Sequence, residues 1–202
     1  LSASDMLKGY LLSNIEDDTK RDRANGQWKE YSRMLIEQNK GEDDEFLKKW
    51  LRAKFAQSIR ERKKGASNED YEKIGTAFHK WVREEREKLG LAKSEDYYDF
   101  ITNKMTFFAS LYLQLWQMEH TFNPDFAIVT YNSYHYFTQQ DTLILSAVKL
   151  HDKEDEVRKK MLLISRFVEM YIVLRSLNYK SLGSSAIQYT MFLLTKELRD
   201  KS

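Results

Sequence analysis

The sequence has 202 residues and no cysteine, which excludes disulfides, thiolate metal sites and a cysteine nucleophile. Its 33 basic and 31 acidic residues leave a formal net charge of +2, so bulk charge selects no partner and only local clustering can. One proline and seven glycines make a helical composition, and 12 Tyr, 11 Phe and 4 Trp argue against disorder.

The longest apolar run, Met105 to Met118, falls short of the roughly 20 residues a bilayer span needs. The opening residues include Asp5 and Lys8 and show no signal-peptide pattern. We therefore expect no membrane partner and a reducing, cytoplasmic location. The first residue is Leu1 rather than methionine, which reads as a piece of a longer protein or as processing of a shorter precursor.

In chain order, Ser4 is placed to cap a first helix with Met6, Leu7, Tyr10 and Leu11 at helical spacing. A second helix is expected from about Thr19 to Gln38, burying Trp28, Tyr31 and Leu35, with Gly41 breaking it. The third runs from Glu42 to Lys63 with Leu47, Trp50, Leu51, Phe55 and Ile59 as its apolar stripe. Its acidic start and basic end both suit the helix macrodipole. Ser67 and Asp70 resemble a capping box ahead of a fourth helix that buries Tyr71, Ile74, Phe78, Trp81 and Val82.

Near Leu91 the composition turns from charged to aromatic. Phe100 to Trp116 is apolar nearly all round and reads as a buried helix ended by Asn123-Pro124. A short helix or irregular segment follows over Asp125 to Tyr136, then a helix from Gln139 to Leu150. The stretch His151 to Glu156 is a turn into a helix carrying Met161 to Leu174, almost all apolar. Ser176 to Gly183 forms a loop, and a last helix from Ser184 to about Asp200 places Ile187, Met191, Leu194 and Leu198 in one stripe. Only Ile128-Val129-Thr130-Tyr131 competes as a strand.

The expected fold is thus all-α, an irregular multi-helix bundle of eight or nine helices. It divides into a charged region, 1–90, and an aromatic-rich bundle, 91–202, or forms one continuous domain.

Two stretches carry a family likeness. At the start, Leu1 and Ser2 lead to Asp5, Met6, Leu7 and Lys8 and then a helix. Late in the chain, Arg175 precedes Asn178, Tyr179, Lys180 and Ser181, and Gln188, Tyr189, Met191 and Phe192 follow on a helix. In these residues the chain resembles the GmrSD-type, ParB/sulfiredoxin-like restriction nucleases, over about a quarter of its length. The resemblance implies a helical region lying after the nucleotide- and nuclease-associated N-terminal domain and before an HNH-type nuclease domain. Any nucleotide or divalent metal would then belong to the parent protein, with no cofactor in this chain. Flanking nuclease domains and DNA are the partners it implies. An HNH site uses histidines to hold a metal and activate water, and His79, His120, His135 and His151 show no such pattern.

Other constellations have two readings each. Lys48, Lys49, Arg52, Lys54, Arg60, Arg62, Lys63 and Lys64, opposed by Glu61, could neutralise DNA phosphates or form a solvated helix face; the second is the commoner fate. Arg175, Lys180, Ser181, Ser184 and Ser185 surround a helix start that could take an anion or simply be capped by its serines. Asp5 and Lys8 either orient a domain junction or form an exposed ion pair. Arg166 and Glu169 read as a buried i,i+3 bridge, or as a polar pocket. Tyr131, Tyr134, Tyr136 and Phe137 could stack on a base or pack in a core. No histidine has a carboxylate three residues before it, and His151 to Glu156 lacks the glycine of a calcium loop, so no metal is expected. A stand-alone helical module that binds protein is the alternative function. Oligomeric state is not legible.

Overall fold

A computed structural model of the chain describes residues 2–135 and 137–201. Among the described residues the chain is 74% helical and forms no strand, as an all-α bundle requires. Two compact units result, residues 1–110 and residues 111–202, so the compositional change near Leu91 lies inside the first.

The first unit opens with α1 (Ala3–Ser13), α2 (Asp18–Gln38), α3 (Glu42–Lys54) and α4 (Asp70–Glu84). A further helical stretch consists of α5 (Ser94–Asp99), a π-helical turn over Phe100–Met105, and α6 (Thr106–His120), which belongs to the second unit from Leu111 onward. Trp50 of α3 is fully buried in a cluster of rings. Phe46 stacks on it at 5.7 Å, and Phe55, Phe100 and Phe108 lie 5.9, 5.0 and 6.1 Å away between centroids. Ring pairs at such distances add about 0.5–1.5 kcal/mol each beyond area burial. The stripe of α4 is buried as read: Tyr71, Ile74, Phe78, Trp81 and Val82 all face inward. A single non-helical residue, Ala77 (φ −154°, ψ 56°), kinks that helix.

Three local expectations are corrected. Ser2, not Ser4, caps α1: its Oγ accepts from the Asp5 N–H at 3.0 Å while the Asp5 carboxylate accepts from the Ser2 N–H at 3.1 Å. Ser4 is instead buried, and its N–H donates to Asp44 Oδ1 at 3.0 Å. Helix α3 ends at Lys54, nine residues short of Lys63, because carboxylates from the start of α4 take the backbone donors that would have continued it. Asp70 Oδ2 accepts from the Gln57 N–H at 2.9 Å, and Glu72 Oε2 accepts from the Arg60 N–H at 3.0 Å. Ser67 and Asp70 form no capping box. Glu72 reaches back to the Glu69 N–H at 3.2 Å, and Asp70 is turned into the core.

The second unit holds a 3₁₀ turn (Pro124–Phe126), α7 (Ala127–Tyr134), α8 (Gln140–Ala147), α9 (Glu154–Leu177) and α10 (Ser184–Lys201). The strand-like Ile128 to Tyr131 is helical. Helix α8 is buried over its whole length and packs against both α9 and α10; α7 also lies on α9. A polar network crosses this interior. Asn132 Nδ2 donates to Gln140 Oε1 at 2.7 Å and to the Ser165 carbonyl at 2.8 Å, and Gln140 Nε2 donates to Glu119 Oε1 at 3.1 Å. Buried amides satisfied in this way restrict the helices to one register, since a shifted register would leave them unpaired.

Candidate nucleic-acid interface

The basic residues grouped by sequence separate into two sets. Those on α3 are engaged within the first unit. Lys48 pairs with Glu45 at 2.7 Å, and the Lys54 ammonium lies 4.8 Å from the Phe108 ring centroid. The Arg52 guanidinium sits 3.9 Å above the Tyr71 ring, and its Nε donates to the Tyr71 carbonyl at 3.1 Å. Arg52 also passes so close to Gly75 that a Cβ there would lie 2.0 Å from its Nη2. Lys49 is only partly exposed.

The second set, Arg60, Arg62, Lys63 and Lys64, is exposed on the loop between α3 and α4 rather than on a helix face. That loop is tied down at its base. Ser58 accepts through its carbonyl from the Tyr71 N–H at 3.1 Å and donates through Oγ to Glu69 Oε2 at 3.1 Å. Lys63 pairs with Glu61 at 2.8 Å, and both are more than two-thirds exposed, so water screens the pair. Gly65 adopts φ +82°, a left-handed turn that lets the loop reverse. The loop therefore offers four cations and one carboxylate to solvent on an anchored backbone, a geometry that can meet a row of phosphates.

Asp5 and Lys8 do not pair with each other among the described residues. The Asp5 carboxyl is held below its ordinary range chiefly by the Ser2 backbone N–H and then by the Ser2 hydroxyl. Lys8 lines an open groove of about 450 Å³ with Trp28, Lys29 and Arg33. Partial burial, followed by the charge of Lys29, lowers the Lys8 ammonium below its usual value. Leu1, the first residue of this motif, lies outside the described residues.

Around the late motif, Arg175 closes its own loop. Its Nε and Nη2 donate to the Ser181 carbonyl at 3.0 and 2.5 Å, and its guanidinium lies 5.5 Å from the Tyr171 ring centroid. Ser181 Oγ accepts from the Gly183 N–H at 3.1 Å. Asn178 Nδ2 donates back to the Leu174 carbonyl at 2.7 Å. Ser184 and Ser185 are exposed, as is Lys180. Tyr179 stands 99% exposed with φ +53°.

Arg166 and Glu169 are not the buried bridge expected of them; both are exposed on α9, and no ion pair joins them among the described residues. Of the aromatic group, Tyr131 and Tyr134 are exposed, Phe137 is buried, and Tyr136 lies outside the described residues. No three His, Asp or Glu side chains gather as a metal site among the described residues, and no helix there is long and apolar enough to cross a membrane.

Sequence reasoning missed the buried carboxylates Glu42, Asp43, Asp70 and Asp141, of which Asp70 is the most deeply buried. Asp70 is 3% exposed; its Oδ1 accepts from Trp81 Nε1 at 2.9 Å and from Lys88 Nζ at 3.3 Å. Burial pushes its carboxyl up, but the hydrogen bonds from Trp81, the Gln57 N–H and Lys88 outweigh that and hold it below the ordinary carboxylate value. Eleven residues of unbroken helix would hold Asp70 and Trp81 about 16 Å apart, so the pair forms because Ala77 breaks the helix between them, and helical spacing gave no signal for it.

No family model, curated protein or solved structure matches this chain.

Proposed function

We propose that this chain is a non-catalytic helical region of a GmrSD-like, modification-dependent DNA restriction protein of the cytoplasm, connecting its nuclease domains and positioning them on foreign DNA. The observation that carries the reading is the pair of motif-like stretches, Leu1 to Lys8 and Arg175 to Phe192, in the family's order. Consistent with a structural role, the Asp5 carboxylate completes the capping box begun by Ser2, and Arg175 closes a loop. In this reading nucleotide and divalent metal are handled by other domains of the parent protein, and the Arg60 to Lys64 loop supplies sequence-independent phosphate contacts.

The test is duplex-DNA binding across a salt series, beside a variant with Arg60, Arg62, Lys63 and Lys64 all changed to Gln. The expected result is affinity that falls steeply with salt in the native chain, with a slope shallower by up to about 3–4 in the variant, since each lost phosphate contact removes about 0.9. Equal slopes, or no binding by either protein, would remove DNA contact from this chain. A parent gene without a ParB-like domain upstream of Leu1 would overturn the family reading itself.

The alternative, a helical module that binds protein, has one observation in its favour: a row of exposed apolar side chains on α9.

A further inference from the structure

Helix α9 is apolar on two faces. Met161, Ile164, Val168 and Ile172 are buried within the second unit, where α7 and α8 pack on the helix. Away from them, Leu163 is 69% exposed, Met170 52%, Val173 49% and Leu177 71%. Such residues scattered singly are ordinary, but these fall in one line with Arg166: 163, 166, 170, 173 and 177. Alternating steps of three and four are the seam of a two-helix coiled coil, in which side chains of one helix enter the gaps of another. Leu174, 51% exposed, widens the stripe.

We propose that this seam pairs antiparallel with α9 of a second copy of the chain. The charges on the seam choose the partner and its direction. Arg166 sits in the middle of the line and Glu169 on its flank; both are exposed, and neither has an ion-pair partner among the described residues. A parallel pair would set Arg166 against the partner's Arg166, two like charges at the centre of the contact. An antiparallel pair with residue 166 facing the partner's Met170 avoids this. It brings the guanidinium beside the partner's Glu169, sets Leu163 against the partner's Val173, and places Leu177 on the aliphatic stem of the partner's Lys159. A two-fold axis makes each contact twice, so one complementary match counts double. This inference stands independently of the restriction-protein reading.

The experiment is sedimentation equilibrium of the 202-residue chain, with disulfide trapping made simple by its lack of cysteine. A concentration-dependent dimer is expected. Leu163→Glu should weaken it at least tenfold with an unchanged circular dichroism spectrum, since the residue touches water in the single chain. Arg166→Glu should weaken it too, and the double exchange Arg166→Glu with Glu169→Arg should restore it. Oxidised Leu163→Cys/Val173→Cys should give a covalent dimer. Within one helix those positions are about 15 Å apart and cannot join to each other. A chain that stays monomeric at hundreds of micromolar overturns the proposal and leaves the seam to another protein. A dimer trapped by Leu163→Cys alone also overturns it, because in the proposed register residue 163 faces the partner's residue 173 and lies about 15 Å from its own copy.

Discussion

The indole N–H of Trp81 donates to Oδ1 of Asp70 across 2.9 Å, in a place where both residues are nearly sealed from water. The same carboxylate takes the Gln57 N–H, so one buried charge joins the start of the α3–α4 loop to the core of α4. Asp70→Ala should lower unfolding stability by about 1.5–3 kcal/mol, the range for hydrogen bonds to a charged group, because Trp81 Nε1 is left without its acceptor. Urea denaturation followed by tryptophan fluorescence measures it.

That contribution depends on acidity in a definite direction. The folded carboxyl of Asp70 sits below the ordinary value of 3.8, so its stabilisation is full at pH well above that value and is lost as pH falls through the depressed folded value. The stability gap between the native chain and Asp70→Asn should therefore be constant from neutral pH down to about pH 5 and close in stronger acid. A gap that widens toward acid would contradict the assignment.

Trp50 gives the largest expected single loss. Its ring is fully buried against four other rings, so Trp50→Ala should cost about 3–5 kcal/mol in thermal or denaturant unfolding. Its indole N–H finds no acceptor among the described residues. Trp50→Phe should accordingly cost clearly less than the alanine change, since it removes a buried donor that is unpaired already.

Gly75 and Arg52 should be coupled. A helical Gly→Ala change ordinarily stabilises by about 0.5–1 kcal/mol. Here the new methyl would displace the Arg52 guanidinium from its seat on Tyr71, so the gain should be absent in the native chain. In an Arg52→Ala background the gain should reappear. A double-mutant cycle with no coupling energy would show that Arg52 does not hold this position in solution.

Tyr179 sits at a backbone angle that favours glycine, where the end of α9 is closed by the Lys180 N–H bonding the Arg175 carbonyl at 2.9 Å. Its ring makes almost no contact with the chain, so Tyr179→Gly should cost no packing and raise stability by up to about 1 kcal/mol. Loss of stability on that change would mean that the ring is held by a contact absent from this structure.

Helix type and the direction of the main stripes were readable from periodicity alone. The α4 set from Tyr71 to Val82 is buried as spacing requires, because an amphipathic helix can hide only one side. Where α3 stops was not readable. Its end is decided by carboxylates on Asp70 and Glu72, residues that arrive only once α4 has packed, and they capture the Gln57 and Arg60 N–H groups. For the same reason the basic run did not stay one surface. Arg52 and Lys54 lie over rings of the core, and Arg60 to Lys64 remain on a solvated loop.

The sequence by itself determined an all-helical chain, the absence of thiol chemistry, and which residues are apolar enough to need a partner. Those are properties of composition and of a 3.6-residue repeat, both local along the chain. Only the tertiary structure decided which partner each side chain found. Arg166 and Glu169, expected inside, stand in water; Asp70, expected at a helix cap, is buried; and the apolar run of α9 proved to have one face covered and one exposed. The physical reason is that burial is shared between elements distant in sequence, so no one helix carries the information about which of its faces will be covered.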